Sequence, residues 1–257
     1  MKIAILGAGA FGTALGGILT EKGHDVLYYD KEAGVDNLRR AINEAEYIVL
    51  AVPSNAVPDI LPFLPKNKPL IIATKGLLGD KIFREFGDVM AISGPGFADD
   101  IKAHKSTLLT ATDKRVSQLF ETDYLKIELT RDLQGILLLG ALKNVYAIYA
   151  GYLGLKPHTA AWQDYITDVS EELQALISAN GGEAETVNLA CGVGDLKLTA
   201  GKGSRNYEFG TILRENSAAA PTKTVEGLNT LAKIKQGEII VPDSARILEK
   251  ILEELWA

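Results

Sequence analysis

The chain predicts an α/β sheet domain followed by an all-α domain, and three observations carry that expectation. An apolar run, Lys2 to Leu6, enters Gly7-Ala8-Gly9-Ala10-Phe11-Gly12 and then a helical pattern; strand-like and helix-like segments alternate to about residue 130; and only helical periodicity follows. At 257 residues, with 47% hydrophobic and 23% charged residues, the chain can bury a core in each of two modest domains, 1–130 and 131–257.

The opening segment reads as strand, glycine turn and helix. Residues 2–6 form the strand, and Thr13 to Lys22 carries helical spacing at Leu15, Ile18 and Leu19. In G-x-G-x-x-G, Gly7 permits the tight turn, Gly9 lets backbone approach a pyrophosphate, and Gly12 lets the helix pack on the strand. The free amides and dipole of the helix N-terminus favour that anion. This unit predicts a dinucleotide-binding domain of the Rossmann type. A second strand, Val26 to Tyr29, ends at Asp30, whose carboxylate can accept from a ribose diol and repels a 2′-phosphate, so NAD is expected. Lys31, Arg39 and Arg40 weaken that preference and leave NADP possible.

Strands follow at Glu46 to Pro53, Leu70 to Thr74, Val89 to Ser93, Thr107 to Thr110 and Tyr124 to Leu129, with short helices at Pro58 to Leu64 and Lys114 to Phe120. A mostly parallel doubly wound sheet binds ligands beyond its strand C-termini, so Pro53-Ser54, Lys75-Gly76 and Gly94-Pro95-Gly96 are expected to face the cofactor.

After about Thr130 the strands stop. Gly135 to Leu155 is an apolar helix with Lys143 and Asn144 at its middle. About 20 such residues would span a bilayer, but no second span or flanking basic cluster is present, and Gly140, Ala141, Ala147, Ala150 and Gly151 suit helix contact in a globular core. No membrane insertion is expected. A buried ammonium requires a partner, a shifted pKa or a cavity where a ligand supplies the counter-charge, which makes Lys143 the first candidate for chemistry. An amphipathic helix follows with Trp162, Ile166, Val169, Leu173, Leu176 and Ile177 on one face, ended by Asn180-Gly181-Gly182. Val225, Leu228, Leu231 and Ile234 form another stripe, and Ile247, Leu248, Ile251, Leu252 and Leu255 a third behind an Asp243 cap. Between them lies a loop, Gly192 to Thr199 and then Gly201 to Asn206. Its Asp195, Thr199, Arg205 and Asn206 suit a small phosphorylated, hydroxylated substrate, with Arg205 as a fork for phosphate.

A net charge near −6 gives no electrostatic reason to bind nucleic acid. The single cysteine, Cys191, reads as a small apolar filler, and His24, His104 and His158 lack metal spacing. With the first strand beginning at Lys2, no leader is expected and the chain is placed in the cytoplasm.

Gly7 to Gly12, Ala73-Thr74-Lys75-Gly76-Leu77, Ser93-Gly94-Pro95-Gly96-Phe97-Ala98, Gly140-Ala141-Leu142-Lys143-Asn144, Gly192 to Leu196 with Thr199, Ser204-Arg205-Asn206 and Val225-Glu226-Gly227 resemble, in order and across nearly the whole chain, the NAD(P)-dependent glycerol-3-phosphate dehydrogenases. The resemblance implies reduction of dihydroxyacetone phosphate to sn-glycerol 3-phosphate for phospholipid synthesis. It implies a helical domain like that of 6-phosphogluconate dehydrogenase, carrying catalysis and substrate, and a homodimer. It makes Lys143 the catalytic lysine, Lys75 a second lysine shared by cofactor and substrate, and Asp195 with Thr199 the polar pair at the reacting oxygen. Arg205 and Asn206 become the phosphate clamp. Ala10, Phe11, Ala98, Thr224 and Glu226, with Arg205, fall on the dinucleotide side, and Gly94, Gly96, Asn144 and Ser204 on the substrate side. An apolar helix around Lys143 and the like charge of Lys75 are expected to lower its pKa, and Asp195 to oppose this.

The chain departs from the family in several places. Much of the segment around Lys31 to Asn43 is missing, Gly96 replaces a hydroxyl residue, Thr167-Asp168-Val169 replaces Thr-Arg-Gly, Tyr146 replaces an aliphatic residue, and the Asp195–Arg205 loop is one residue short. Ketopantoate reductases and related β-hydroxyacid dehydrogenases are a second reading, which Lys75-Gly76 and Arg205-Asn206 argue against. A non-catalytic NAD-binding regulatory protein is a third.

Overall fold

A computed structural model describes residues 1–77, 79–222 and 224–255. The chain divides into two compact units, Met1–Lys75 with Asp80–Leu133, and Gly76–Gly79 with Gln134–Ala257. The excursion Gly76–Gly79 joins the second unit because it packs there: Lys233 Nζ donates to the Gly76 carbonyl at 3.3 Å, and Gly79 lies against the Gln134 side chain.

The first unit holds a seven-stranded sheet in the order β2-β1-β3-β4-β5-β6-β7. Its strands are β1 (Lys2–Leu6), β2 (Asp25–Tyr29), β3 (Tyr47–Leu50), β4 (Leu70–Ile72), β5 (Val89–Ser93), β6 (Thr107–Ala111) and β7 (Leu125–Leu129). All neighbours are parallel except β5 and β6. β1, β3 and β4 read as continuous apolar runs because helices cover both faces of the sheet. One face buries Ile3, Ile5, Val49 and Ile71 with Leu15, Ile18 and Leu19 of α1 (Ala10–Glu21). The other receives α2 (Gly34–Glu44), which packs on β1 and β2. Pairing of Leu6 with Tyr29 and Leu50, and of Leu50 with Ile72, levels the strand ends, so Gly7, Asp30, Ala51 and Ala73 emerge at one edge. Strand order reverses at β1, which is where such sheets take their ligands.

Two local features depart from expectation. α1 begins at Ala10, ahead of Thr13, because Gly9 serves as its extended N-cap. Between β2 and β3, Leu38, Ala41 and Ile42 make a narrow apolar stripe on α2, and Lys68 Nζ donates at 2.8 Å to each of the Ile42, Asn43 and Ala45 carbonyls at its C-terminus. The short helix expected at Pro58 to Leu64 is α3 (Val57–Ile60) flanked by 3-10 turns, and α4 (Ala98–Lys102) and α5 (Lys114–Phe120) complete the unit.

The second unit is built around α6 (Leu133–Tyr152), in which every residue from Gly135 to Gly151 is buried. By length and composition α6 matches a membrane span, and 89% of its apolar window is buried inside the fold. Around it lie α7 (Ala160–Ala179), α8 (Asp195–Thr199), α9 (Arg205–Glu215), α10 (Glu226–Lys235) and α11 (Arg246–Leu255). α6 and α9 cross at backbone contact: a Cβ at Gly210 would stand 1.8 Å from the Ile148 carbonyl oxygen, and one at Gly151 2.0 Å from that of Tyr207. Only glycine permits this approach.

Two further expectations are corrected. The glycine-rich stretch from Gly192 to Asn206 is largely helical, with a π-turn at Ala190–Gly194 leading into α8 and then, after a short turn, α9. Of its glycines, Gly192 serves contact, since a Cβ there would meet the Val187 carbonyl oxygen at 2.0 Å, whereas Gly203 turns the chain with φ of +88° in open space. Tertiary burial of Leu196 and Ala200 overrides the weak helical propensity. The start of α11 is capped by Glu172 of α7, whose carboxylate accepts from the Ile247 and Leu248 amides at 2.7 and 2.8 Å, while Asp243 lies exposed upstream.

Candidate active site

In the first unit the glycine turn is shaped by contact. Gly7 has φ of +111°, and a Cβ there would sit 2.6 Å from the Ala51 carbonyl carbon at the end of β3. A Cβ at Gly12 would stand 2.0 Å from the Gly7 carbonyl oxygen, so α1 presses directly on the turn. At Gly9 a Cβ would meet no heavy atom within 4 Å. The first helical bond is Thr13 N–H to the Gly9 carbonyl, so the amides of Ala10, Phe11 and Gly12 head the helix behind a residue with no side chain to cap them. An open approach onto uncapped helical amides fits a pyrophosphate.

The other first-unit candidates surround that edge. Asp30 is exposed at the end of β2 and accepts from the Glu32 amide at 3.5 Å, capping a 3-10 turn. Pro53 is exposed and Ser54 buried just beyond β3. Thr74 donates to the Leu50 carbonyl at 3.1 Å, fixing the chain immediately before Lys75. Lys75 is half-buried, with its ammonium 5.1 Å from the centroid of the Phe11 ring, a cation–π contact. Gly94 has φ of +144° and Leu109 Cα 3.0 Å from a notional Cβ. At Gly96, where the hydroxyl residue is absent, a Cβ would fit tightly, 3.2 Å from Thr107 Cγ2 and 3.3 Å from Ile101 Cδ1. Ala98 opens α4 and is half-buried.

In the second unit, Lys143 is 1% exposed and its ammonium pairs with Asp195, also 1% exposed. α6 carries the lysine and the first residue of α8 the carboxylate. Taking either charge out of water alone is costly, and pairing the two offsets part of that cost. Asp195 uses its second oxygen to accept from Thr199 Oγ1 at 3.3 Å, one helical turn on. Beside Lys143, Asn144 donates to the Gly140 carbonyl at 2.9 Å and accepts from Asn206 Nδ2 at 2.9 Å; Asn206 Oδ1 accepts from the Gly227 amide at 3.0 Å. The result is a buried ammonium, carboxylate and hydroxyl, bordered by an amide chain that ties α6, α9 and α10 together.

Hydrogen bonds thus join Lys143, Asp195 and Thr199, and separately Asn144 and Asn206. Arg205, the first residue of α9, and Thr224 are exposed, whereas Glu226, the first residue of α10, is half-buried. Ser204 is buried at the N-cap of α9 and makes no side-chain cap bond. Sequence reading missed the cluster around Glu172, which accepts from Tyr146 Oη at 2.5 Å, while Tyr165 Oη donates to the Tyr146 carbonyl at 2.7 Å. Burial first, and then the neighbouring Glu172 carboxylate, hold the Tyr146 phenol well above its ordinary pKa; burial does the same for Tyr165. The available signal was Glu172 itself, a carboxylate within the apolar stripe of Val169, Leu173 and Leu176.

Comparison with known proteins follows this division. The model of the NAD-dependent glycerol-3-phosphate dehydrogenase C-terminus matches residues 132–251, and that of the N-terminus matches residues 2–35 and 33–118. The two N-terminal matches meet at residues 33–35, at the start of α2. A glycerol-3-phosphate dehydrogenase [NAD(P)+] of Citrifermentans bemidjiense is 32% identical, covering 90% of this chain and 88% of its own. One from Legionella pneumophila is 32% identical over 82% of this chain and 78% of its own. The crystal structure of the Coxiella burnetii glycerol-3-phosphate dehydrogenase superposes with a TM-score of 0.79 at 27% identity, covering 99% and 98% of the two chains. A ketopantoate reductase from Ralstonia eutropha reaches 0.56 at 18% identity, a likeness of fold alone.

Proposed function

The chain belongs to the family of NAD-dependent glycerol-3-phosphate dehydrogenases, and we propose from that premise that it interconverts dihydroxyacetone phosphate and sn-glycerol 3-phosphate with NAD(H), supplying glycerol phosphate for phospholipid synthesis. The observation that carries the reading to the residues is the buried Lys143–Asp195–Thr199 cluster.

The nicotinamide, when bound, supplies or accepts the hydride. The first unit holds the cofactor: Gly7, Gly9, Ala10, Phe11 and Gly12 receive its pyrophosphate at the head of α1, Asp30 takes the ribose diol, and Pro53, Ser54 and Ala98 line the same edge. Lys75, held over Phe11, is the second cation, shared with substrate. In the second unit the Lys143 ammonium stabilises negative charge growing on the carbonyl oxygen and delivers a proton to it. Asp195 holds that ammonium in place and Thr199 holds Asp195. Asn144 and Asn206 brace the helix turn that carries Lys143, so the amide chain preserves geometry as well as offering a donor. Arg205 and the amides behind Ser204 anchor the substrate phosphate, and Gly94 and Gly96 admit substrate closely. Thr224 and Glu226 complete the cofactor side. The exposed Asp30 carboxylate supports NAD over NADP.

The reading also places the enzyme in the cytoplasm as a homodimer, which light scattering on the purified chain tests. The decisive assay is loss of NADH absorbance with dihydroxyacetone phosphate, compared with ketopantoate and with NADPH. Turnover of dihydroxyacetone phosphate is expected. Activity on ketopantoate alone overturns the assignment, and tight NADH binding without oxidation by any triose phosphate favours a regulatory protein.

A further inference from the structure

The helix that carries Asp195 and Thr199 is five residues long, and a single helical turn does not form without outside support. Support enters from both ends. At the start, the π-turn is pinned where Gly192 meets the Val187 carbonyl. At the finish, Trp162 from the first turn of α7 donates its indole Nε1–H to the Ala200 carbonyl at 2.9 Å. Ala200 directly follows Thr199, and its own amide closes α8 on the Leu196 carbonyl at 2.8 Å. Trp162 is 2% exposed and Ala200 fully buried, so the bond is shielded from bulk solvent. The indole is itself anchored, because Thr159 caps α7 by accepting from the Trp162 amide at 3.4 Å.

A continuous series of contacts therefore runs from Trp162 through the Ala200 carbonyl to the end of α8, from Thr199 Oγ1 to Asp195, and from Asp195 to the Lys143 ammonium. We propose that Trp162 is a positioning residue for the Lys143–Asp195 centre, acting through the Ala200 carbonyl to hold α8 wound and its two polar side chains on the ammonium. This rests on Lys143 being the proton donor proposed above. Among the described residues Trp162 makes no hydrogen bond to Lys143, Asp195 or Thr199. Without its N–H the Ala200 carbonyl is left buried and unpaired, and unwinding the last residues of α8 toward solvent relieves that at the expense of Thr199 and Asp195.

Trp162→Phe keeps an aromatic ring and removes the donor. Its kcat with dihydroxyacetone phosphate is expected to fall about tenfold to a hundredfold, the loss that a small misplacement of a catalytic group produces. KM for NADH is expected to stay unchanged, the pH profile of kcat to move, and amide exchange to quicken across Leu196–Gly201 but not in the first unit. Should Trp162→Phe fail to fold, benzothienylalanine at the same position, which has the shape of the indole with sulfur in place of N–H, makes the same test. Unchanged kcat and pH profile with only a lowered melting temperature would reduce Trp162 to packing and overturn the proposal. If the wild-type chain does not turn over dihydroxyacetone phosphate, the functional reading fails separately. Exchange then judges Trp162 alone: quickening across Leu196–Gly201 upholds its hold on α8, and no change overturns it.

Discussion

Replacing Lys143 by Met keeps most of the side-chain volume and removes the ammonium, leaving the Asp195 carboxylate paired only with the Thr199 hydroxyl. The two side chains are 1% and 2% exposed, so solvent cannot screen the orphaned charge. Breaking a buried pair from one side costs about 3–5 kcal/mol, which for a chain of this size lowers the melting temperature by roughly 6–20 °C. Asp195→Leu is expected to cost a similar amount from the other side. The double variant removes both charges and is expected to regain most of that stability, retaining a deficit of about 1 kcal/mol from the Thr199 hydroxyl that has lost its acceptor. Turnover behaves differently: loss of a general acid costs about 10²–10⁴ in rate, and the double variant is expected to be as inactive as Lys143→Met. Thermal melting and NADH oxidation, measured on the same preparations, separate the two effects. A folded Lys143→Met enzyme with near-wild-type turnover refutes the role of the lysine. A double variant melting no higher than the single ones refutes the energetic account of the pair.

Three other outcomes follow from the geometry. Gly9→Ala is expected to melt like the wild type but to bind NADH at least about tenfold, or about 1.4 kcal/mol, more weakly, because its Cβ points into open space at the head of α1; Gly12→Ala, whose Cβ overlaps the Gly7 carbonyl, is expected to lose stability as well, and fluorescence titration with melting distinguishes them. Glu172→Ala removes the cap of α11 and strands the Tyr146 hydroxyl, an expected loss of about 2–4 kcal/mol in urea unfolding, whereas Asp243→Ala is expected to stay within about 0.5 kcal/mol. Alkaline titration tests the buried phenols: the folded chain keeps Tyr146 and Tyr165 protonated above the pH at which the unfolded chain releases them, so their contribution is complete below about pH 10 and declines as pH rises, by about 1.4 kcal/mol per pH unit for each. Tyr146→Phe is expected to flatten that decline, and an unchanged slope would count against it.

The sequence alone determined what depends on neighbours along the chain. Strand, glycine turn and helix at Lys2 to Glu21, the alternation through β7, and the anomaly of Lys143 in an apolar helix are local patterns with local physical causes. Tertiary structure decided the rest, because those features depend on groups far apart in sequence. Gly192 to Asn206 reads as loop until Val187 and Trp162 are brought against it, and α11 takes its cap from Glu172, 75 residues away, in place of the nearby Asp243. Asp195 and Asn206 stood out as polar residues in a glycine-rich stretch, but their partners, Lys143 at a separation of 52 and Asn144 at 62, became visible only when helices crossed at glycines that no periodicity distinguishes from turn glycines.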